Sequence, residues 1–138
     1  MTAKLLLDTC AIIWIALRQP IKPEAKSAID ASVGCDEPIR VSPISAWELG
    51  LLSAKRRMPT TMSPTSLFRE VVMTDGIRIE ALTPDVLIDS SFLPGDLHRD
   101  PADRVLVATA RALGLTLVTR DRIILDYAKQ GHVSVLVC

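Results

Sequence analysis

The sequence predicts an α/β protein whose central parallel sheet of four to five short strands is covered by helices on both faces. Three observations lead there. Short apolar runs alternate with helix-patterned segments along most of the chain, the order expected of parallel strands joined by crossover helices. The apolar content is aliphatic, with only two Trp, two Phe and one Tyr, which suits strands buried on both faces better than an aromatic-rich sandwich. The chain is 138 residues long, the size of one domain and too short for two ordinary ones. No repeat, low-complexity tract or linker divides residues 1–138.

Taken in order, Lys4-Leu5-Leu6-Leu7-Asp8 reads as a buried strand ending in an acid. Thr9 is expected to cap a helix through Ile15 or Leu17, stopped by Pro20. Pro23 to Val33 has helical character with Gly34 as terminator, and Ile39-Arg40-Val41 is a second strand. Ser42 then caps a helix running to about Lys55, with Pro43 at the first position where a missing N–H costs nothing. Residues 58–66 form a loop, Pro64 opens a helix through Met73, and Gly76 ends it before the strand-like Ile77 to Ala81. Pro84 to Ser91 is helical and Leu93 to Arg99 a polar loop. Asp100-Pro101 starts the best-defined helix, which runs to Leu113 and is closed by Gly114. A strand over Leu115–Val118, a helix over Asp121–Lys129 and a strand over Val133–Val137 complete the chain.

Composition removes several classes of function. Cys10, Cys35 and Cys138 are odd in number, widely spaced and without a Cys-x-x-Cys pair. They read as reduced thiols of a cytosolic protein, with Cys10 a small packed hydrophobe. The apolar run after Lys4 is broken by Asp8, and Ala11–Leu17 is shorter than the roughly 20 residues of a membrane span. A cytoplasmic protein without a membrane association is expected. No phosphate-binding Gly-x-x-x-x-Gly-Lys loop, dinucleotide Gly-x-Gly-x-x-Gly or Gly-x-Ser-x-Gly elbow occurs. His98 and His132 lie in loops without zinc-type spacing and read as surface residues, with His98 placed to orient the helix start or touch substrate as the sharper alternative. Sixteen basic residues balance sixteen acidic ones, so net charge gives no argument for nucleic acid. Locally, Lys55-Arg56-Arg57 and the arginines at 99, 104, 120 and 122 surround the acids. That pattern suits either a solvated surface or a phosphate backbone.

Four acids stand out. Ligands in open α/β sheets bind beyond the carboxyl ends of the strands. Asp8 ends the first strand and Asp121 follows the Leu115–Val118 strand by three residues. Asp121 reads equally as a helix N-cap. Glu48 has Ile44, Ser45, Leu51 and Leu52 as its helical neighbours, so it is either an exposed rim residue or a buried group requiring a cation or strong hydrogen bonds. Asp103 follows Asp100 by three residues, which fits a capping-box role or a place on the inward flank of the helix start. Two unit charges at 4 Å repel by about 4 kcal/mol at an effective dielectric of 20. Four converging carboxylates therefore call for a divalent cation or a proton. All-oxygen ligands select Mg²⁺, Mn²⁺ or Ca²⁺ over zinc.

The segments Leu5-Leu6-Leu7-Asp8-Thr9, Ser42 to Leu49, His98 to Arg104 and Leu117-Val118-Thr119-Arg120-Asp121 fall in the order and spacing of PIN domains. The resemblance spans essentially the whole chain and is nearest to VapC-type toxins of bacterial toxin–antitoxin pairs. It implies a PIN-like three-layer α/β/α fold and an acidic quartet, Asp8, Glu48, Asp103 and Asp121, as catalytic and metal residues. Asp100 is then a capping or supporting acid, and Thr119 a hydroxyl that shapes the site, with Thr9 and Arg104 beside them. The resemblance further implies Mg²⁺- or Mn²⁺-dependent cleavage of single-stranded RNA regions, a homodimer, and a cognate antitoxin whose tail covers the site. The chain departs from the family at Ala102, where relatives often carry Phe, and at Leu52, where they often carry Lys. Neither position belongs to the quartet, and Lys55, Arg56 and Arg57 offer an alternative RNA contact.

The expected chemistry is in-line hydrolysis of an RNA phosphodiester, with one or two Mg²⁺ ions lowering the pKa of the attacking water and neutralising transition-state charge. Arg104 or Arg122 would stabilise the transferring oxygens, and the product would carry a 5′-phosphate. Two alternatives stay open: a metal-dependent nuclease acting on flap DNA or another phosphodiester, and a catalytically silent RNA-binding or partner-binding module.

Overall fold

Three consecutive leucines can all be buried only where both faces of their strand are covered, and Leu5, Leu6 and Leu7 are each fully buried. They form β1 (Leu5–Leu7), the middle strand of a five-stranded sheet in the computed structural model, which describes residues 2–138. The other strands are β2 (Ile39–Val41), β3 (Ile77–Ile79), β4 (Thr116–Thr119) and β5 (Ser134–Val137). All neighbours pair in parallel, in the order β3-β2-β1-β4-β5, with Leu7 in register with Val41 on one side and Val118 on the other. Helices α1 (Thr9–Ala16), α2 (Pro23–Gly34), α3 (Pro43–Ala54), α4 (Pro64–Val72), α5 (Pro84–Asp89), α6 (Pro101–Leu113) and α7 (Arg122–Ala128) connect the strands.

Alternation along β1 divides the core in two. Leu5 and Leu7 pack with Ile12 of α1, Ala25 of α2, Leu49 of α3 and Leu67 of α4. Leu6 points the other way, to Leu106 and Val107 of α6 and Ile124 and Tyr127 of α7. The result is the three-layer α/β/α arrangement that the aliphatic runs predict.

Local chemistry sets the element ends. Five helices, α2 to α6, begin with Pro at the first position, where the ring costs no hydrogen bond. Ser42, Ser63, Thr83 and Asp100 accept the free backbone N–H groups of their helices. Gly114 ends α6 at φ 65, a left-handed conformation that glycine adopts without strain. Two expectations shift. The cap of α1 is Asp8, whose side chain accepts from Ala11 N, and not Thr9. Strand β4 runs one residue further than expected, to Thr119, because Thr119 still pairs with Val137. No helix of the described residues is long and apolar enough to cross a membrane.

The topology locates a crevice before any side chain is considered. From β1 the chain moves outward through β2 and β3, then returns to build β4 and β5 on the opposite side. The order reverses between β1 and β4, and loops leaving the carboxyl ends of such a pair diverge to opposite faces.

Candidate metal centre

Asp8 leaves the carboxyl end of β1 and its backbone N–H donates to Val118 O of β4 at 3.0 Å, which fixes it at the reversal point. The residue is 4% exposed. One oxygen, Oδ1, accepts from Ala11 N at 2.7 Å, and the hydroxyl of buried Thr119 also bonds the carboxylate. Thr119 Oγ1 meanwhile accepts from Asp121 N at 3.0 Å. One hydroxyl therefore ties together the acids that follow β1 and β4.

Asp121 caps α7, its Oδ1 accepting from Ile123 N at 2.9 Å and Ile124 N at 3.0 Å. Asp100 caps α6 in the same manner, with Oδ1 accepting from Ala102 N at 3.0 Å and Asp103 N at 3.3 Å. For Asp100 and Asp121 the second oxygen makes no hydrogen bond among the described residues. Capping and a site role are thus compatible, because each cap engages one oxygen and leaves the other for a ligand. The N-termini of α1, α6 and α7, where partial positive charge favours anions, all open on this crevice.

Glu48 enters from the second turn of α3, half-buried, with the Thr9 hydroxyl near enough to oppose the rise of its carboxyl. Thr9 is itself buried and hydrogen-bonded to Ser45, with the two hydroxyl oxygens 3.0 Å apart. Asp103 lies one turn into α6. Its Oδ2 is 2.8 Å from Nε2 of His98, so the side chain faces the loop before α6 and plays no capping-box role. His98 is therefore no surface bystander: it orients Asp103, while its Nδ1 is buried without a hydrogen-bond partner among the described residues.

These groups lie within one another's fields. Burial pushes the Asp8 carboxyl up to about 6 against its hydrogen bonds from Thr119 and Ala11, and the Glu48 and Asp121 charges add to the rise. Asp103 is pushed up to about 7, first by burial and then by Asp100, with Asp121 and Glu48 contributing and His98 opposing. Glu48 is raised by burial and by Asp100 and Asp121, with Thr9 opposing. Cys10, expected to be packed away, is exposed at the start of α1. Desolvation and then the fields of Asp8, Glu48, Asp103 and Asp121 push its thiol up to about 12, so it stays protonated and inert.

Arg104 was expected beside the transferring oxygens. Its guanidinium instead donates to three backbone carbonyls: Ser90 O at 2.8 Å, Leu97 O at 2.9 Å and His98 O at 3.3 Å. It braces the loop that carries His98, because those carbonyls have no helix or strand partner. Replacing it leaves them unpaired, and each lost bond to a charged donor is worth about 1.5–3 kcal/mol. Arg104→Ala should therefore destabilise the protein by about 2–4 kcal/mol in urea unfolding. Arg104→Lys should recover only part, since an ammonium cannot reproduce the planar fork; a loss below about 0.5 kcal/mol for Ala would contradict this role. The Lys55-Arg56-Arg57 run is exposed beyond the far end of α3, about 10 Å along the axis from Glu48, and so stands away from the acids.

The donor chemistry fits a hard divalent cation. Donor atoms of His98, Asp100 and Asp103 all lie within 4.8 Å of one another, the one such trio among the described residues. Asp8, Glu48 and Asp121 are coupled to this group through their fields at wider spacing. Mg²⁺ characteristically keeps several waters and takes few carboxylates directly, so it tolerates such spacing. Neither Asp8 nor Glu48 has an ion-pair partner among the described residues, and Asp103 has only His98.

Comparison with known proteins agrees with this geometry. The family model for the PIN domain matches residues 5–130. The chain is 34% identical over 122 residues to Ribonuclease VapC22 of Mycobacterium tuberculosis, covering 88% of this chain and 89% of that protein. Among solved structures, VapBC2 from Rickettsia felis bound to a promoter DNA fragment aligns with a TM-score of 0.69 at 14% identity, over 96% of this chain and 97% of that one. FitAcB from Neisseria gonorrhoeae aligns with a TM-score of 0.63 at 22% identity, covering 96% of each chain. At those identities the structural likeness speaks for the fold.

Proposed function

The chain belongs to the PIN domain family, and from that premise we propose that it is a metal-dependent endoribonuclease, the toxin of a toxin–antitoxin pair, with Asp8, Glu48, Asp103 and Asp121 as its reaction centre. The observation that carries the proposal is the gathering of these acids, with Asp100, at the β1/β4 reversal without a lysine or arginine ion-pair partner for any of the four among the described residues. Such a cluster is built to receive a cation and, through it, a phosphate.

In this reading the four acids hold Mg²⁺, with Mn²⁺ as a substitute. Ala11 N and Thr119 hold Asp8, Thr9 stands beside Glu48, and His98 orients Asp103. Asp100 holds the start of α6, on which Asp103 stands. When bound, the metal supplies charge neutralisation at the phosphodiester and a lowered pKa for the attacking water. Glu48 faces the same crevice from α3 and positions that water or completes the ion's shell. The substrate is RNA, as for the ribonuclease relative. A cognate antitoxin is supported by kinship with a VapC protein. A homodimer is the assembly expected of the family.

The test is exposure of a mixed RNA pool to the purified protein with Mg²⁺ or with chelator, followed by end analysis. Metal-dependent cuts bearing 5′-phosphates are expected. Cyclic phosphate ends that persist in chelator would mean attack by the substrate's own 2′-hydroxyl and would end this mechanism.

A further inference from the structure

A polyanion cannot be drawn to this centre by the chain as a whole, because formal net charge is zero and the crevice itself is acidic. A cation neutralises the reacting phosphate but not its neighbours along a strand. Attraction for those must come from local positive surface.

One surface next to the crevice has that character. A groove of about 840 Å³ runs between α7, the edge strand β5 and the α1–α2 connection. Lys22, Arg120, Arg122 and Lys129 line it with one acid, Asp126, which lies 3.3 Å from Lys129, so the lining carries a net three positive charges. Arg120 and Arg122 flank Asp121 in sequence, so one end of the groove lies beside the residue that caps α7. Arg120 is held there: its guanidinium stacks on the Trp14 ring of α1, an arrangement that fixes a weakly hydrated cation while leaving N–H groups for an anion. The floor is aliphatic, with Leu125 and Val137, and no aromatic ring lines it. It therefore offers charge for a backbone without a platform for stacking bases.

We infer that this groove is the track along which the backbone of single-stranded RNA lies as it enters or leaves the acidic centre, supplying affinity without reading sequence. The inference rests on the ribonuclease reading above. The place of Arg120 and Arg122 on either side of Asp121 favours RNA over an acidic protein segment, since a strand with one phosphate at the acids must continue past the β4–α7 junction or turn away from it.

The test combines Lys22→Ala and Lys129→Ala, both exposed positions at which folding is not at stake. Binding of labelled single-stranded RNA is followed by anisotropy across a salt series, with Asp103→Asn in both proteins to prevent cleavage. Each lost phosphate contact lowers the single-strand salt slope by about 0.7, roughly fourfold in affinity near 0.15 M salt. The double variant should thus bind about fifteenfold more weakly with a slope lower by about 1.4, similarly for unrelated sequences. In the unsilenced background, turnover of a dinucleotide too short to reach the lysines should be unchanged. Unaltered affinity and slope, with long RNA still cleaved, would overturn the groove and leave the enzyme reading standing. Groove-dependent RNA binding with no metal-dependent cleavage of any RNA would support the groove and remove the enzyme reading. Loss of binding to a polyglutamate peptide but not to RNA would assign the groove to an acidic protein and overturn the inference.

Discussion

Asp8→Asn is expected to slow RNA cleavage by roughly 10²–10³-fold and, in metal-free solution at pH 7, to make the protein more stable. The two effects share a cause. Asp8 is 4% exposed, and burial with the nearby Glu48 and Asp121 charges raises its carboxyl from 3.8 to about 6. That rise is the unfavourable energy of holding the ionised group at neutral pH, on the order of 3 kcal/mol. Asparagine removes the charge, keeps the shape and keeps an oxygen to accept from Ala11 N at the start of α1. A gain of about 1–3 kcal/mol follows, or several degrees in Tm for a chain of this size. The gain should vanish near pH 4, where the native aspartate is protonated. Cleavage, in contrast, needs the charge, and loss of one electrostatic element of a reaction centre costs roughly 10²–10³-fold. Thermal melts in chelator decide the matter: an Asp8→Asn protein less stable than the parent at pH 7 would show that Asp8 serves the fold and not a ligand.

The same conflict explains what could be read in the sequence and what could not. Strand and helix positions were legible because their signals are local: the Leu5–Leu7 run, proline at the head of α2 to α6, and Gly114 behind α6. Strand order was not legible: the sequence placed Asp8 and Asp121 in one crevice only on the condition that their strands are neighbours, and the pairing of β1 with β4 meets that condition. Local signals mislead where one residue has two uses. Asp100 and Asp121 carry ordinary capping signatures, and spacing alone cannot say that each cap engages one oxygen and leaves the other without a hydrogen bond among the described residues. His98 and Arg104 were misjudged for a different reason. Their roles depend on the path of the 93–99 loop, which Arg104 itself fixes through the Leu97 and His98 carbonyls and Tyr127 through the Pro94 carbonyl at 2.6 Å. Nothing periodic encodes such a path, because each bond joins groups whose proximity exists only after folding.

A divalent cation should stabilise the protein far more at pH 8 than at pH 5, and the metal-free chain should show the opposite trend with pH. Asp8 and Asp103, raised to about 6 and about 7, hold protons in the folded state at pH values where the unfolded chain has released them. Where the native state binds more protons, stability falls as pH rises. The favourable contribution is therefore complete below about pH 4 and is lost as pH climbs through 6 and 7. The two acids share one field through Glu48 and Asp121, so their effects do not simply add. The loss for the metal-free chain is about 3 kcal/mol or somewhat more, close to ten degrees in Tm. Mg²⁺ must displace those protons to bind, so its affinity grows over the same interval. At 100 times its dissociation constant it returns about 2.7 kcal/mol, enough to offset most of the deficit at pH 8. At pH 5, with both carboxyls largely protonated, the same concentration should move Tm little. A metal-free Tm that rises from pH 5 to pH 8, or a Mg²⁺ shift equal at both, would mean that the acids are already neutralised by the protein, and the crevice would then lack the unmet charge on which its metal chemistry depends.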